Sequence, residues 1–587
     1  MRPDYSASPH KPSTAAADFM PDFAQPATME FGMCRFMYRL ARSPISLAAW
    51  LTLLVSVALA AEAKAQETHA TPVRNVILII GDGMGPAQIG LLQSYARLAV
   101  NSPYEGPTAL QQFADAGRTG ISSTEPHNGL VADSACSASQ LATGQAVPSE
   151  AISVSPAGVP LQTVLERAQA TGRAVGLVSD TRITHATPAA FASHVAHRSM
   201  ENDIAAQLLA TRVDVLLSGG WRHFLPASVN SAGETRDVWS ARLGNEQLVE
   251  SRRTDERDLV VEAEAVGYSA VFDVAGLRNA AEAGGQVLGL FSASSMQNAF
   301  QSRDLRNEPS RTQPGLDEMA QAALSILEDD PDGFFLMIES GQIDWAGHAN
   351  DAGWLLQELL RMDAMLQVVL DWARDRDDTL IVLTADHETG GFGISYSHAE
   401  HVQPVSIPGG VFETVPFAPE HDFVSPAMLD QLAMQRGPLS DAARQMHEWT
   451  NDAQPLPQAG DLQDAVRQLT GFEIDAQAAQ RLLSGMMAQP TQTAASDPGG
   501  THEGLLHSDC LLHDFYSYEE NVESARIARA LGVSQGIVWS TGTHTASPVP
   551  VFAVGPDSAT APFAGMLHHT GVGMALMRAL EPEVTTP

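Results

Sequence analysis

The feature that most constrains this chain is a set of short, continuously apolar runs that each end abruptly in polar or charged residues. "NVILIIGDGMG" begins at Asn75, "GLVSDTRITHATP" at Gly176, "FFLMIESGQIDWAGH" at Phe334 and "LIVLTADHETGGF" at Leu380. Runs that do not alternate with polar residues read as strands buried on both faces, as in a parallel sheet covered by helices. Strands are expected at Val76–Ile80, Ala174–Val178, Val213–Ser218, Val287–Phe291, Phe334–Ile338, Leu380–Thr384 and Val549–Val554. Between two of them Leu355, Leu356, Leu359, Met362, Leu366, Val369 and Leu370 recur at helical spacing, which predicts a helix given over to core packing. The fold class is α/β, a three-layer sandwich with a central, mostly parallel sheet flanked by helices. Such sheets bind ligands beyond the carboxyl ends of their strands, so the polar clusters should converge on one crevice. No GxGxxG or P-loop sequence accompanies them.

Before the second of these strands stands "NGLVADSACSASQLATG", residues 128 to 144. Asp133 and Ser134 precede a small-residue run that can begin a helix, and both are good N-cap residues. The same position is one where backbone N–H groups and the helix dipole favour negative charge, so an anion can be held against the Ser134 hydroxyl. The stretch alone favours a cap; the rest of the chain has to decide.

With 34 Lys and Arg against 69 Asp and Glu the formal charge is −35, which argues against nucleic acid or an anionic membrane surface as a partner. An anionic substrate would then need a local positive centre, from bound metal or a placed arginine. The 587 residues allow several domains or one large α/β domain. Residues 37–65 read as a secretory leader: Arg39 and Arg42 precede an apolar run from Ile45 to Ala61, and Ala63-Lys64-Ala65 offers a small-x-small cleavage pattern. Export to periplasm or medium is expected, with a mature start near Gln66 and no stable membrane anchor; an uncleaved anchor is the alternative. Residues 1–36 are expected to be a non-native upstream extension, with Met37, Met33 or Met29 the true start. Of three cysteines Cys34 lies in that segment, and Cys136, within a turn of Ser134, is not expected to pair with Cys510.

Residues 66–587 are expected to form the catalytic domain. Within it the pattern changes over 391–535, which reads as an inserted cap or lid with helices at Leu439–Trp449 and Leu462–Met487. Its His398, His401, His502, His507 and His513 lack convincing ligand spacing and are read as solvated or packing residues.

The sharpest chemical signal is "ESGQIDWAGH". Asp344 and His348 are four apart, on one face of a helical turn, and Glu339 closes the preceding strand. Asp386 and His387 follow another strand, Asp82 a third, and His544 precedes a fourth. Imidazoles with carboxylates suit zinc, whereas carboxylates with a Thr hydroxyl suit magnesium, so the inventory supports more than one ion.

"GDGMG", "DSACSASQLATG", "THATPAAF" with its downstream arginine, "ESGQIDWAGH", "TADHETGG" and "WSTGTHTASP" occur in the order seen in the alkaline phosphatase family, and the resemblance runs from about Arg74 to Leu580. It implies hydrolysis of phosphate monoesters through a phosphoserine on Ser134, with two zinc ions and one magnesium. Asp344, His348 and His544 match the ligands of the first zinc, and Asp82, Asp386 and His387 those of the second. Asp82 would bridge to magnesium, completed by Thr187 and Glu339. Arg198 matches the arginine that forks onto the phosphoryl oxygens, with Asp133 orienting it. His185 stands where enterobacterial members have an Asp near magnesium, and Trp345 where they have a Lys that contacts phosphate; this pair resembles some marine bacterial members. It puts in doubt a strict magnesium preference at the third site and implies a weaker hold on phosphate. Relatives imply a possible homodimer. A diesterase on the same metal scaffold, and an exported metal- or phosphate-binding protein without turnover, are the competing readings; a sulfatase lacks its Cys/Ser-x-Pro-x-Arg context at Ser134.

Overall fold

The computed structural model describes residues 72–397, 410, 419–452, 457–487 and 517–581. The leader-like segment 37–65, Cys34, Cys510 and the histidines at 398, 401, 502, 507 and 513 lie outside them. No helix among the described residues is long and apolar enough to cross a membrane.

Ten strands form one sheet: β1 (Asn75–Gly81), β2 (Arg118–Ser123), β3 (Ala174–Arg182), β4 (Val215–Gly219), β5 (Ser269–Val271), β6 (Val287–Leu290), β7 (Phe334–Ser340), β8 (Thr379–Thr384), β13 (Val549–Val554) and β14 (Gly565–His568). Four short strands pair outside it: β9 (Glu388–Thr389) with β12 (His544–Thr545), and β10 (Phe392–Ile394) with β11 (Ile537–Trp539). The order in the large sheet is β14-β2-β13-β8-β1-β7-β3-β4-β6-β5. Only β13 is antiparallel to its neighbours β2 and β8; every other pairing is parallel.

Burial explains why the inner strands are apolar without alternation. Along β1 Val76, Leu78 and Ile80 belong to one hydrophobic cluster, and Ile77 and Ile79 to another on the opposite face. Both clusters are completed by helices, so every side chain of β1 is buried and the sheet is the middle of three layers. All seven expected strands are present. β2, β5 and β14, toward the sheet's edges, escaped the sequence reading because they are short or partly exposed and carry no long apolar run.

Two helical expectations are corrected. Leu462–Met487 is two helices, Ala459–Thr470 and Ala476–Met487, because Gly471 takes a left-handed cap (φ 76°) and ends the first. Leu462, Val466, Phe472, Ile474 and Leu483 join the same hydrophobic cluster as Ile77 and Ile79 of β1, so this part of 391–535 shares one of the two cores. β10 and β11 pair with Phe392 opposite Trp539.

The helix Ala352–Ala373 does more than pack. From it the partly buried Arg361 reaches Asp180 near the end of β3: its Nη2 lies 2.5 Å from Asp180 Oδ2 and also meets Oε2 of the buried Glu358. Burial pushes the Glu358 carboxyl up to about 7 even with Arg361 beside it. Arg361→Leu would leave two buried carboxylates without their cation, a change that costs about 3–5 kcal/mol where it has been measured. Thermal or denaturant unfolding is expected to show a loss of that size, and a loss below about 1 kcal/mol would mean that the carboxylates find other partners.

Candidate active site

The polar clusters meet because their strands are neighbours in register. Ile80 pairs with Glu339 and with Thr384, and Ser179 pairs with Glu339, so the chain leaves β1, β8, β7 and β3 side by side. Asp82, Asp386, the turn after Glu339 and the loop to His185 therefore face one crevice. Close approach is needed at Gly83, whose φ is +75° and where an added Cβ would lie 2.7 Å from the Asp344 Cα.

Ser134 is the first residue of the helix Ser134–Thr143, and the cap is Asp133, whose Oδ1 accepts from the Ala135 N–H at 2.8 Å. The cap and the candidate nucleophile are thus adjacent residues. Cys136, two residues on, is a buried free thiol. Ser134 Oγ lies 3.2 Å from His387 Nε2, so the hydroxyl sits against the donor set that the resemblance assigns to the second zinc. That contact does not make an isolated serine–histidine dyad. The same nitrogen is 3.2 Å from Asp386 Oδ2 and 3.6 Å from Asp82 Oδ1, so two carboxylates and an imidazole point at one place. Asp344 also contributes a donor atom beside Asp82 and His387.

A second cluster joins Asp344, His348 and His544. His348 Nδ1 donates to Gly542 O and His544 Nδ1 to Ala132 O, each at 2.8 Å, which fixes both tautomers and leaves the Nε2 lone pairs free. Those two Nε2 atoms are only 3.1 Å apart, and Asp344 Oδ2 is 3.1 Å from that of His348. Two lone pairs turned on each other beside a carboxylate call for a proton or a metal cation between them. A third cluster joins Asp82, His185 and Glu339.

Orphaned buried atoms mark the same places: Asp82 Oδ1 and Oδ2, His185 Nδ1, Thr187 Oγ1, Glu339 Oε1 and Asp386 Oδ2 have no hydrogen-bond partner. Buried polar groups are normally paired, so the convergence of these six fits a site built to hold cations. The Thr187 hydroxyl favours the charged form of Glu339 without reaching hydrogen-bond geometry. Burial and, next, the Asp386 charge push the Asp82 carboxyl well above its usual range. Burial takes Glu339 up to about 8 and, with Asp344, Asp386 up to about 6. Burial also pushes Asp344 up, but His348 and His544 outweigh it and hold that carboxyl well below its usual range. His387 is held neutral by burial and by His544.

Arg198 stands beside this group, its Nη1 3.6 Å from Asp133 Oδ1 and its Nη2 3.1 Å from His185 Nε2. Trp345 packs edge-on against the His185 ring at 6.2 Å. All the residues singled out in the sequence as site residues are therefore in or against the crevice.

Sequence reasoning missed the supports. Ser179 Oγ donates to Glu339 Oε2 at 2.5 Å and Thr389 Oγ1 to Asp344 Oδ1 at 2.5 Å. Glu388 accepts from Gln88 Nε2 at 2.7 Å and from Thr545 Oγ1 across the β9–β12 pair, tying the His387 and His544 segments together. The buried His569 ring bridges Ser122 Oγ and Asp386 O at 2.8 and 2.9 Å. Ser179, Glu388 and Thr389 lie inside the polar clusters quoted above and could have been found there; nothing near His569 in sequence announced it.

The family profile described as Alkaline phosphatase matches residues 73–428. Alkaline phosphatase 3 of Bacillus subtilis is 28% identical over 532 residues, 89% of this chain and 92% of that protein. The repressible alkaline phosphatase of Saccharomyces cerevisiae is 36% identical over 335 residues, 54% of this chain and 55% of that protein. Among solved structures, Thermus thermophilus alkaline phosphatase superposes with a TM-score of 0.65 at 25% identity, covering 87% of this chain and 92% of that one.

Proposed function

Because the chain belongs to the alkaline phosphatase family and is a hydrolase of phosphate monoesters, we propose that it works through a phosphoserine on Ser134, with two zinc ions and a third cation. The observation that carries this reading is the convergence of donor clusters on Ser134 Oγ, with Arg198 alongside.

We assign Asp344, His348 and His544 to the first zinc, Asp82, Asp386 and His387 to the second, and Asp82, Glu339 and Thr187 to a magnesium position near His185. With an imidazole beside it, that third donor set also suits a borderline dication such as zinc. Bound cations supply Lewis acidity that ionises the serine hydroxyl and neutralises the leaving oxygen.

The chain's own residues do the rest. Ser134 Oγ attacks phosphorus in line as the ester P–O bond breaks, and water later attacks phosphorus opposite Oγ, releasing phosphate and restoring the hydroxyl. The guanidinium of Arg198 forks onto two phosphoryl oxygens, steadied by Asp133. N–H groups at the start of Ser134–Thr143 face the developing charge. Trp345 flanks the site where it supplies no charge to phosphate, which favours product release. The insertion 391–535 we assign as a cap, and an exported location rests on the leader-like segment.

The test is phosphate release from p-nitrophenyl phosphate and from bis-p-nitrophenyl phosphate at alkaline pH by residues 66–587 with zinc and magnesium, with and without EDTA. Fast, chelator-sensitive release from the monoester, far exceeding the diester, is expected. Dominant diester cleavage would move the assignment to a phosphodiesterase, and no turnover by metal-loaded protein would leave a binding protein.

A further inference from the structure

His185 is built to do one of two things, and it can do only one at a time. Its ring is 8% exposed and fixed by the edge of Trp345. Its Nε2 is 3.1 Å from Arg198 Nη2, and its Nδ1 has no hydrogen-bond partner. A guanidinium only donates, so in this contact Nε2 supplies the lone pair and the ring proton sits on Nδ1. A donor atom of His185 also lies within 4.8 Å of donor atoms of both Asp82 and Glu339.

A neutral imidazole has one lone pair in its plane. If a cation takes it at Nε2, Arg198 is displaced directly. If a cation takes it at Nδ1, the ring proton moves from Nδ1 to Nε2, with no net proton change, and an N–H then faces the N–H of Arg198. In either case the bond to Arg198 is lost, and the cation's charge repels the guanidinium further. We propose that ligation of a third cation by His185 releases Arg198 to grip the phosphoryl group, so that third-site occupancy and phosphate affinity are coupled. The released guanidinium has an anchor in place. Its backbone N–H is tied to Glu150 O at 2.8 Å, and Asp133, whose Oδ2 accepts from the Glu150 N–H at 2.6 Å, stands next to Ser134. Release therefore turns Arg198 from His185 toward the Asp133–Ser134 side of the crevice. Linkage requires phosphate to tighten the third cation by the same factor.

This inference rests on the assignment of Arg198 to phosphate, and the experiment separates the two. Inorganic phosphate is titrated calorimetrically into protein holding two equivalents of zinc, with and without saturating magnesium or a third equivalent of zinc. The wild type, His185→Phe and Arg198→Ala are compared. In the wild type the third cation is expected to tighten phosphate by at least about fivefold, and phosphate to tighten the third cation equally. His185→Phe is expected to bind phosphate tightly with or without the third cation, and Arg198→Ala weakly in both cases. Coupling that is absent from the wild type, or survives in both variants as a direct field effect, overturns the proposal. Unchanged phosphate affinity in Arg198→Ala overturns the role of Arg198 itself, and the inference with it.

Discussion

Ser134→Ala is expected to lower kcat for phosphate-monoester hydrolysis by at least about 10³-fold, with metal content and melting temperature close to those of the wild type. The size follows from what remains. The donor clusters, the helix N-terminus and Arg198 would still bind the substrate, but no oxygen of the chain would be placed to attack phosphorus, and water would have to enter directly. Stability should hold because the helix keeps its cap: the Asp133 side chain, not the Ser134 hydroxyl, satisfies the Ala135 N–H. Ser134→Ala also separates the competing readings. A protein that only binds phosphate has no use for Ser134 and would lose nothing, whereas Asp133→Ala should harm both the helix start and the seat of Arg198. Steady-state rates and metal analysis on the two variants check this; wild-type kcat in Ser134→Ala would sink the phosphoserine assignment.

Binding of metal is expected to expel protons, and to do so most at neutral pH and below. Without cations Glu339 titrates near 8 and Asp386 near 6, and Asp82 lies well above its usual range, chiefly because all three are buried. A cation requires the charged carboxylates, so at pH 7 its binding should release about one proton or more, with the number falling as the pH passes 8. Calorimetry in buffers of different ionisation enthalpy measures that number directly. The sign for stability runs the other way. A carboxyl raised from 4.5 to about 8 binds more protons folded than unfolded between those values. The contribution of Glu339 is thus fully present below pH 4.5 and drains away as the pH climbs to about 8. Chelated protein should therefore melt at progressively lower temperature over that window, while metal-loaded protein does not. A proton release of zero at pH 7 would show that the crevice is open to water.

The architecture was legible where burial is symmetrical. Seven strands were readable because their two faces meet two different cores, as Val76 and Ile77 do, and no alternation competes with that signal. The candidate donor residues stood out because most of the polar clusters follow directly on such a strand. What escaped was set by contacts remote in sequence. His569 supports Asp386 from 183 residues away, and Arg361 reaches 181 residues back to Asp180 inside a helix whose apolar spacing gave no hint of a charge. His387 beside Ser134, 253 residues away, was implied by the family resemblance and by no local pattern. The break at Gly471 was lost because the apolar spacing continues across it, and a glycine in a helical pattern does not by itself declare a left-handed cap.

The order of the strands also governs when during synthesis the site can exist. β1 emerges early but takes its place only between β7 and β8, which begin at Phe334 and Thr379, and His544 enters on the segment that leads into β13, the one strand of the large sheet that runs against its neighbours. A nascent chain thus carries Asp82 and Ser134 long before it carries His544, which completes the cluster of Asp344 and His348. Competence to bind ions at every cluster would therefore arrive only near completion of the fold, and a prematurely terminated product would carry Ser134 without a complete site around it.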